Sequence, residues 1–358
     1  MSNIIVVHIE SGLGNQMLSY CEYLAIKKAN PEAKVYIETI IYDLSECNDV
    51  INQWNGYELS SVFNIKAPNI KELFSEDQWV QIIREIKHSR FWENYWNYPP
   101  VFVEAFRNAG LDLINIRGNF AIHRTGSWKA RIRTSITLFR RQFIKTRLGD
   151  WFKRWIFAYI SDGNKPVHTI NNKLFLETQD NIFTGQQLSF KLRGHNIERI
   201  HDEICTAFQF SPFRDRRNIE MAKILDQCNA VAIHARRGDM LNVNGYCYKY
   251  GYFKRAVKYI RLYVENPVFV FFTDPGSVEW CRENTAIFGL NTDRDIVQFV
   301  DWNEGRESYR DMQLMALCKH AIITNSTFGW WGTYFISNPY KITISPIQEI
   351  DINTTNHC

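Results

Sequence analysis

The sequence predicts an α/β protein whose C-terminal half is a doubly wound parallel sheet. Three observations carry that expectation. From residue 229 onward, short β-rich runs alternate with segments of helical periodicity, the pattern of parallel strands joined by crossover helices. The chain opens on a smaller unit of the same kind. Its 358 residues are 45% apolar and 22% charged, a globular composition long enough for two ordinary domains.

The elements follow in order. "IIVVHI" (4–9) is a β-rich run, followed by the Gly-bearing stretch "ESGLGNQ". Helical spacing runs from about Gln16 to Lys28 and stops at Asn30-Pro31, and "KVYIE" (34–38) is a second strand. Residues 40–125 are rich in Trp and Tyr and give no clear order. "FSPFRDRR" (210–217) reads as a boundary, which sets expected domains at 1–212 and 213–358. Beyond it, strands are expected at 229–235, 268–273, 296–300, 321–324 and 341–345. Helices are expected at 252–264, near 277–287, at about 307–317 and from about 327 to 336.

Eight cysteines are scattered without CxxC or His/Cys spacing, which argues against zinc and redox pairs. "MSNIIVVHIE" lacks the basic start, apolar run and cleavage site of a secretory signal, and no stretch approaches ~18 uninterrupted apolar residues. A reducing, cytoplasmic location is the expectation. The net charge of +4 is uneven: Trp128 to Arg154 carries nine Lys/Arg against one acid, a net +8, which leaves −4 for the rest. This basic, aromatic segment, taken as 128–160, is open to two readings: it packs on its own domain with its cations solvated, or it rests peripherally on the anionic inner face of a membrane. A nucleic-acid arm is disfavoured, because the remainder is acidic and no nucleic-acid motif is present.

Binding loops of a doubly wound sheet lie at the carboxyl ends of its strands. Those ends carry Arg236-Arg237-Gly238-Asp239, then Thr273-Asp274, Asp301 and Asn325-Ser326-Thr327. The Asn-Ser-Thr run begins a helix, where polar side chains cap and free N–H groups attract anions. Two guanidiniums add charge-assisted donors. Together these features point to a diphosphate. Strand alternation places His234 and Arg236 on one side, and Arg237 joins them if the chain turns at Gly238. "GLGNQ" (12–16) is not a dinucleotide fingerprint, since the third glycine of G-x-G-x-x-G is replaced by Met17. Asn15 in that loop is a candidate ligand contact.

"GLGNQM", "HARRGD" and "CKHAIITNSTFGWWG" (318–332), in that order and at those separations, resemble the bacterial α-1,2-fucosyltransferases of glycosyltransferase family eleven. The resemblance is clear over about 3–40 and 229–345. It implies a GT-B-like fold of two Rossmann-like domains, with the nucleotide-sugar site in the C-terminal one. It also implies a metal-free, inverting transfer of L-fucose from GDP-β-L-fucose to the 2-hydroxyl of a galactoside glycan. On that pattern His234, Arg236, Arg237, Asn325, Ser326 and Thr327 bind the donor. The chain departs from the family at Ser11-Gly12, where Gly-Gly is usual, and at Met240, where an aromatic residue is usual.

No cofactor or metal is expected. The departing diphosphate would be neutralised by Arg236, Arg237 and the helix amino end, an expectation that supposes no Asp-x-Asp pair in the chain. Asp239, then Glu10, are the candidate bases, and a fully dissociative route without a strong base is the alternative. Asp274 or Asp301 would accept from the guanine N–H groups. The competing readings are a fucosyltransferase of another linkage and a non-catalytic nucleotide-sugar or polysaccharide-binding protein.

Overall fold

The computed structural model describes residues 2–47, 55–93, 96–116, 173–185 and 197–346. Two parallel sheets organise them. The first has the order β2-β1-β4-β3, with β1 Ile4–His8, β2 Lys34–Glu38, β3 Ile114–Asn115 and β4 Ile182–Gly185. The second has the order β7-β6-β5-β8-β9, with β5 Asn229–Ala235, β6 Pro267–Thr273, β7 Ile296–Phe299, β8 His320–Ile323 and β9 Thr343–Ile344. Every strand pairing within the two sheets is parallel. The first sheet draws only on residues before 213 and the second only on residues after it. Two parallel sheets, one in each half of the chain, with helices between their strands are the expected α/β class.

The principal helices are α1 Leu13–Ala29, α2 Glu76–Ser89, α3 Pro99–Asn108, α4 Arg216–Asp226, α5 Leu241–Lys249, α6 Tyr252–Tyr263, α7 Val278–Glu283, α8 Tyr309–Leu317 and α9 Thr327–Tyr334. Their ends follow local chemistry. Ser75 caps α2 in a reciprocal box with Gln78, and Asp215 accepts from the Asn218 N–H to start α4. Pro99 and Pro100 occupy the first positions of α3, where a missing N–H costs nothing.

Strand alternation divides the core. Ile5 and Val7 of β1, with Ala230 and Ala232 of β5, face a shared cluster that includes α1, α8 and α9. Val6 and Phe183 face α2 and α3. Val231, Ile233 and Ala235 face α6. The shared cluster ties the two sheets into one apolar body, with α1 and α9 in its middle.

Several expectations need correction. The helix after β1 begins at Leu13, not near Gln16, so "GLGN" is its cap and first turn. Helices α4 and α5 were not expected. The segment near 277–287 divides into α7 and a short helix Thr285–Phe288.

Candidate functional site

Because the second sheet is parallel, the ends of β5, β6, β7 and β8 share one edge, and the motif residues meet there. Arg236 follows β5. Its N–H donates to Thr324 Oγ1 (3.0 Å), and its carbonyl accepts from Asn244 Nδ2 and Tyr248 O–H (both 3.1 Å). The guanidinium lies 3.0 Å from Asp239 Oδ1 through Nη2 and 2.6 Å from Asp274 Oδ1 through Nη1. Its side chain is half-buried. Two carboxylates therefore fix one strong cation at the carboxyl end of the central strand.

Arg237 does not join it. Its guanidinium lies 3.3 Å above the Trp280 ring centroid and 5.1 Å from that of Tyr248. The chain does turn over Gly238, Asp239 and Met240, with the Leu241 N–H donating to the Gly238 carbonyl (3.3 Å), but the turn does not bring Arg237 to the side of Arg236. Gly238 is not left-handed there, and a β-carbon on it would stand 3.3 Å from Asp274 Cγ. Alternation sends Arg237 to the opposite face, and the indole retains it by cation–π attraction. Its backbone N–H still serves the site by donating to Asp274 Oδ2 at 2.6 Å.

Asp274 thus faces the arginine pair with both oxygens, Oδ1 in an ion pair with the Arg236 guanidinium and Oδ2 accepting from the Arg237 N–H. Asp301 pairs with Arg282 Nη2 at 2.5 Å and lines a cavity of about 260 Å³ with Thr273, Asn303, Glu304 and Asp311. Burial pushes Asp311 up to about 8, against the opposing effect of the amide that Asn303 donates at 2.8 Å. Asp239, the first candidate base, is occupied as a partner of Arg236.

His234 is buried, and its Nδ1 has no hydrogen-bond partner among the described residues. Burial, then the charge of Arg236, lower it to about 3, so the ring is neutral. A β-carbon at Gly329 would stand 2.5 Å from that Nδ1, which explains a glycine inside α9. Asn325 donates its N–H to Asn244 Oδ1 (3.1 Å). Ser326 is the residue before α9, but no side chain caps that helix, contrary to expectation. The first amides of α9 therefore carry the positive end of its dipole without a cap bond from the Ser326 side chain.

The first sheet reaches this edge through α1. A β-carbon at Gly14 would lie 2.6 Å from Thr327 Oγ1 and 2.7 Å from the Phe328 nitrogen. Asn15 stands beside it, with its buried Oδ1 unpartnered among the described residues. Gln16 pins the loops around it, donating to the Ser11 (2.9 Å) and Gly56 (2.8 Å) carbonyls and accepting from the Glu58 N–H (2.8 Å). Glu10 is buried at the carboxyl end of β1, its Oε2 3.5 Å from His8 Nε2.

Some of this was missed in the sequence. Asn244 ties Arg236 to Asn325 from the middle of α5, and a lone Asn in a weakly periodic helix announces nothing. His8 carried a signal, a histidine inside a β-rich run two residues before a glutamate. The supposition about Asp-x-Asp does not hold: Asp293-Arg294-Asp295 is such a pair. It precedes β7 at the amino edge, where Asp295 pairs with Arg261 at 2.7 Å. The basic segment 128–160 lies outside the described residues. Among the described residues, no helix is long and apolar enough to cross a membrane.

Residues 193–353 match the family model described as Glycosyl transferase family 11. Over 149 residues the chain is 32% identical to the alpha-1,2-colitosyltransferase of Escherichia coli, covering 39% of this chain and 48% of that protein. Over 111 residues it is 37% identical to galactoside alpha-(1,2)-fucosyltransferase 1 of Sus scrofa, covering 29% and 28%. The matched region thus spans half or less of these relatives. Among solved structures, a mutant of Arabidopsis thaliana FUT1 in complex with GDP aligns over 99% of this chain and 72% of its own, with a TM-score of 0.43 and 9% identity. NodZ alpha-1,6-fucosyltransferase co-crystallized with GDP aligns over 94% and 93%, with a TM-score of 0.38 and 12% identity.

Proposed function

We propose that the protein, whose residues 193–353 match the model of glycosyl transferase family 11, is a galactoside α-1,2-fucosyltransferase that uses GDP-β-L-fucose. The observation that carries the reading is Arg236, fixed by Asp239 and Asp274 at the end of β5 beside the start of α9. A guanidinium and a helix amino end on one rim suit a diphosphate. The cavity lined by Asp301, Asn303 and Asp311 suits the guanine, whose N–H groups need acceptors.

In this reading the transfer is one inverting displacement. The acceptor 2-oxygen bonds to the anomeric carbon as the bond from that carbon to the diphosphate oxygen breaks. The acceptor proton passes to Glu10, and GDP leaves with its added charge stabilised by Arg236 and the α9 amides. Asp239 orients Arg236 and is not the base. The transfer is proposed to need no metal, so activity should survive excess chelator. Loss with EDTA and recovery with Mg²⁺ or Mn²⁺ would refute that part.

The test is a GDP-release assay with GDP-β-L-fucose against a panel of β-galactosides, with linkage analysis of the product. An α-1,2-fucoside is expected. GDP binding without release in the presence of every acceptor would favour a non-catalytic binder. Transfer only from a colitosyl donor would favour a second reading, motivated by the Escherichia coli relative.

The cationic segment 128–160 is proposed to hold the enzyme at the cytoplasmic face of an anionic membrane, close to glycan acceptors. Sedimentation with anionic vesicles should be salt-sensitive and lost when Arg140, Arg141, Lys145 and Arg147 become Gln. Equal recovery in the supernatant with neutral and anionic vesicles at low salt would exclude it.

A further inference from the structure

The first sheet ends in an ionic cluster that the donor site does not use. His8, the last residue of β1, is fully buried, as is Glu38, the last residue of β2. The strands pair in parallel with His8 opposite Glu38, and His8 Nδ1 makes a short contact with Glu38 Oε2. The other Glu38 oxygen accepts the Ile40 N–H, which fixes the carboxylate. His8 Nε2 faces Glu10 Oε2 at 3.5 Å, an ion-pair separation. The Tyr98 ring lies against the imidazole, tilted by 33° with centroids 4.4 Å apart, and Phe102 and Phe183 pack on other sides of it. Gly185 of β4 leaves room for this strand end: a β-carbon there would lie 2.7 Å from the His8 nitrogen.

A carboxylate pair in an apolar setting is stable only when compensated. The imidazole lies between the two carboxylates, with one ring nitrogen toward each. Burial opposes its protonation, but Glu38 and Glu10 outweigh that and raise His8 above its ordinary range. A doubly protonated ring donates to Glu38 from Nδ1 and is directed at Glu10 from Nε2. Other charged or titratable groups stand nearby. Tyr42 and Asp43 come from the turn after β2, Glu58 from the loop before Leu59–Phe63, and Lys71 acts on Asp43. Among the described residues, the charged groups in direct contact with the His8 ring are Glu38 and Glu10.

We propose that His8 and Glu38 are positioning residues for Glu10: a buried imidazolium, anchored by Glu38, keeps the Glu10 carboxylate charged and oriented for the acceptor hydroxyl. The proposal rests on the reading of Glu10 as the base. Without the imidazolium, Glu10 would be a buried carboxylate near a second one, and it would bind a proton at higher pH. The basic form would then appear only in more alkaline solution.

Two measurements on the full chain test this separately. The first follows the His8 ring by ¹⁵N NMR across pH, with no substrate. The ring is expected to be charged at pH 7, and Glu10→Gln and Glu38→Gln should each lower its midpoint by at least one unit. A neutral His8 at pH 7 in the unaltered protein overturns the proposal, whatever the transfer activity. The second measures GDP release from GDP-β-L-fucose with a β-galactoside acceptor across pH. His8→Gln should lower kcat about 10- to 100-fold at pH 7, with KM for the donor within about twofold. Its acid limb should move at least one unit toward alkali, and Glu38→Gln should move it the same way. A loss equal at every pH would mean a structural role and refute the proposal. If the NMR behaves as expected but Glu10→Gln transfers at the unaltered rate, Glu10 is not the base. The positioning role then falls with that reading, while the ionic cluster stands.

Discussion

The indole N–H of Trp331 donates to the carbonyl oxygen of Gly14 at 2.9 Å, across 317 residues of sequence. This bond joins the first motif of the chain to the last. It sets α1 against α9, and with it the end of the first sheet against the donor-side rim. Trp331 is fully buried there, among Phe208, Trp330 and Phe335.

Gly14→Ala tests that seam. The added methyl would stand under 3 Å from Thr327 and from the backbone of Phe328, and backbone cannot step aside as a flexible side chain can. Gly14 is not in the left-handed region, so the penalty is purely one of approach. The expected result is a destabilisation of about 1–3 kcal/mol and at least a tenfold loss of transfer. Both are read by calorimetry and GDP release. Unchanged values in both would show that the seam yields freely.

Arg236→Ala should reduce turnover by at least ~10³, as for other phosphate-stabilising arginines. It would also leave Asp274 nearly buried without its guanidinium partner. Arg236→Lys should not recover full activity, because an ammonium cannot bridge Asp239 and Asp274 in the same plane. Arg237→Ala should cost far less, since that guanidinium is committed to Trp280. Equal losses at the two positions, measured as kcat/KM for the donor, would contradict this division.

Much of this was legible beforehand, and what was not has physical reasons. The strands of the second sheet were readable because fully buried parallel strands are near-continuous apolar runs. Helix α2 also had a signal, Trp79, Ile82, Ile83 and Ile86 at helical spacing, but it lay among aromatic residues that blurred it. Helix α5 had none: "LNVNGYCYK" contains a glycine and no clear stripe, and tertiary contacts through Asn244 and Tyr248 secure it. The fate of Arg237 was hidden because the direction of a side chain after a strand depends on an indole 43 residues later.

Ser11→Gly is expected to stabilise the protein. Ser11 has φ 69°, a left-handed conformation that side chains disfavour. Its carbonyl accepts from Gln16 and from Tyr42 O–H (2.7 Å), and these bonds retain the turn. The gain should be about 1 kcal/mol in thermal or denaturant unfolding. A loss of stability instead would mean that the serine side chain contributes more than its backbone strain costs.

Asp311 gives a pH test with a definite sign. Its folded value, pushed up to about 8 by burial, lies above the ordinary 3.8, so the folded state binds the extra proton between those limits. Stability from this group is therefore full below about pH 4 and declines as pH rises toward 8. Asp311→Asn removes the titration while keeping an oxygen that can accept from Asn303. The stability difference, variant minus unaltered protein, should grow with pH across that window, by on the order of 1 kcal/mol per unit. His234 bends the curve the other way in both proteins, since its folded value of about 3 lies below 6.5 and stability is lost as pH falls through that range. Subtracting the two unfolding curves cancels that contribution. A difference that stays flat from pH 5 to 8 would mean that Asp311 is ionised in the folded protein, and the cavity it lines would then present an anion rather than a carboxylic acid.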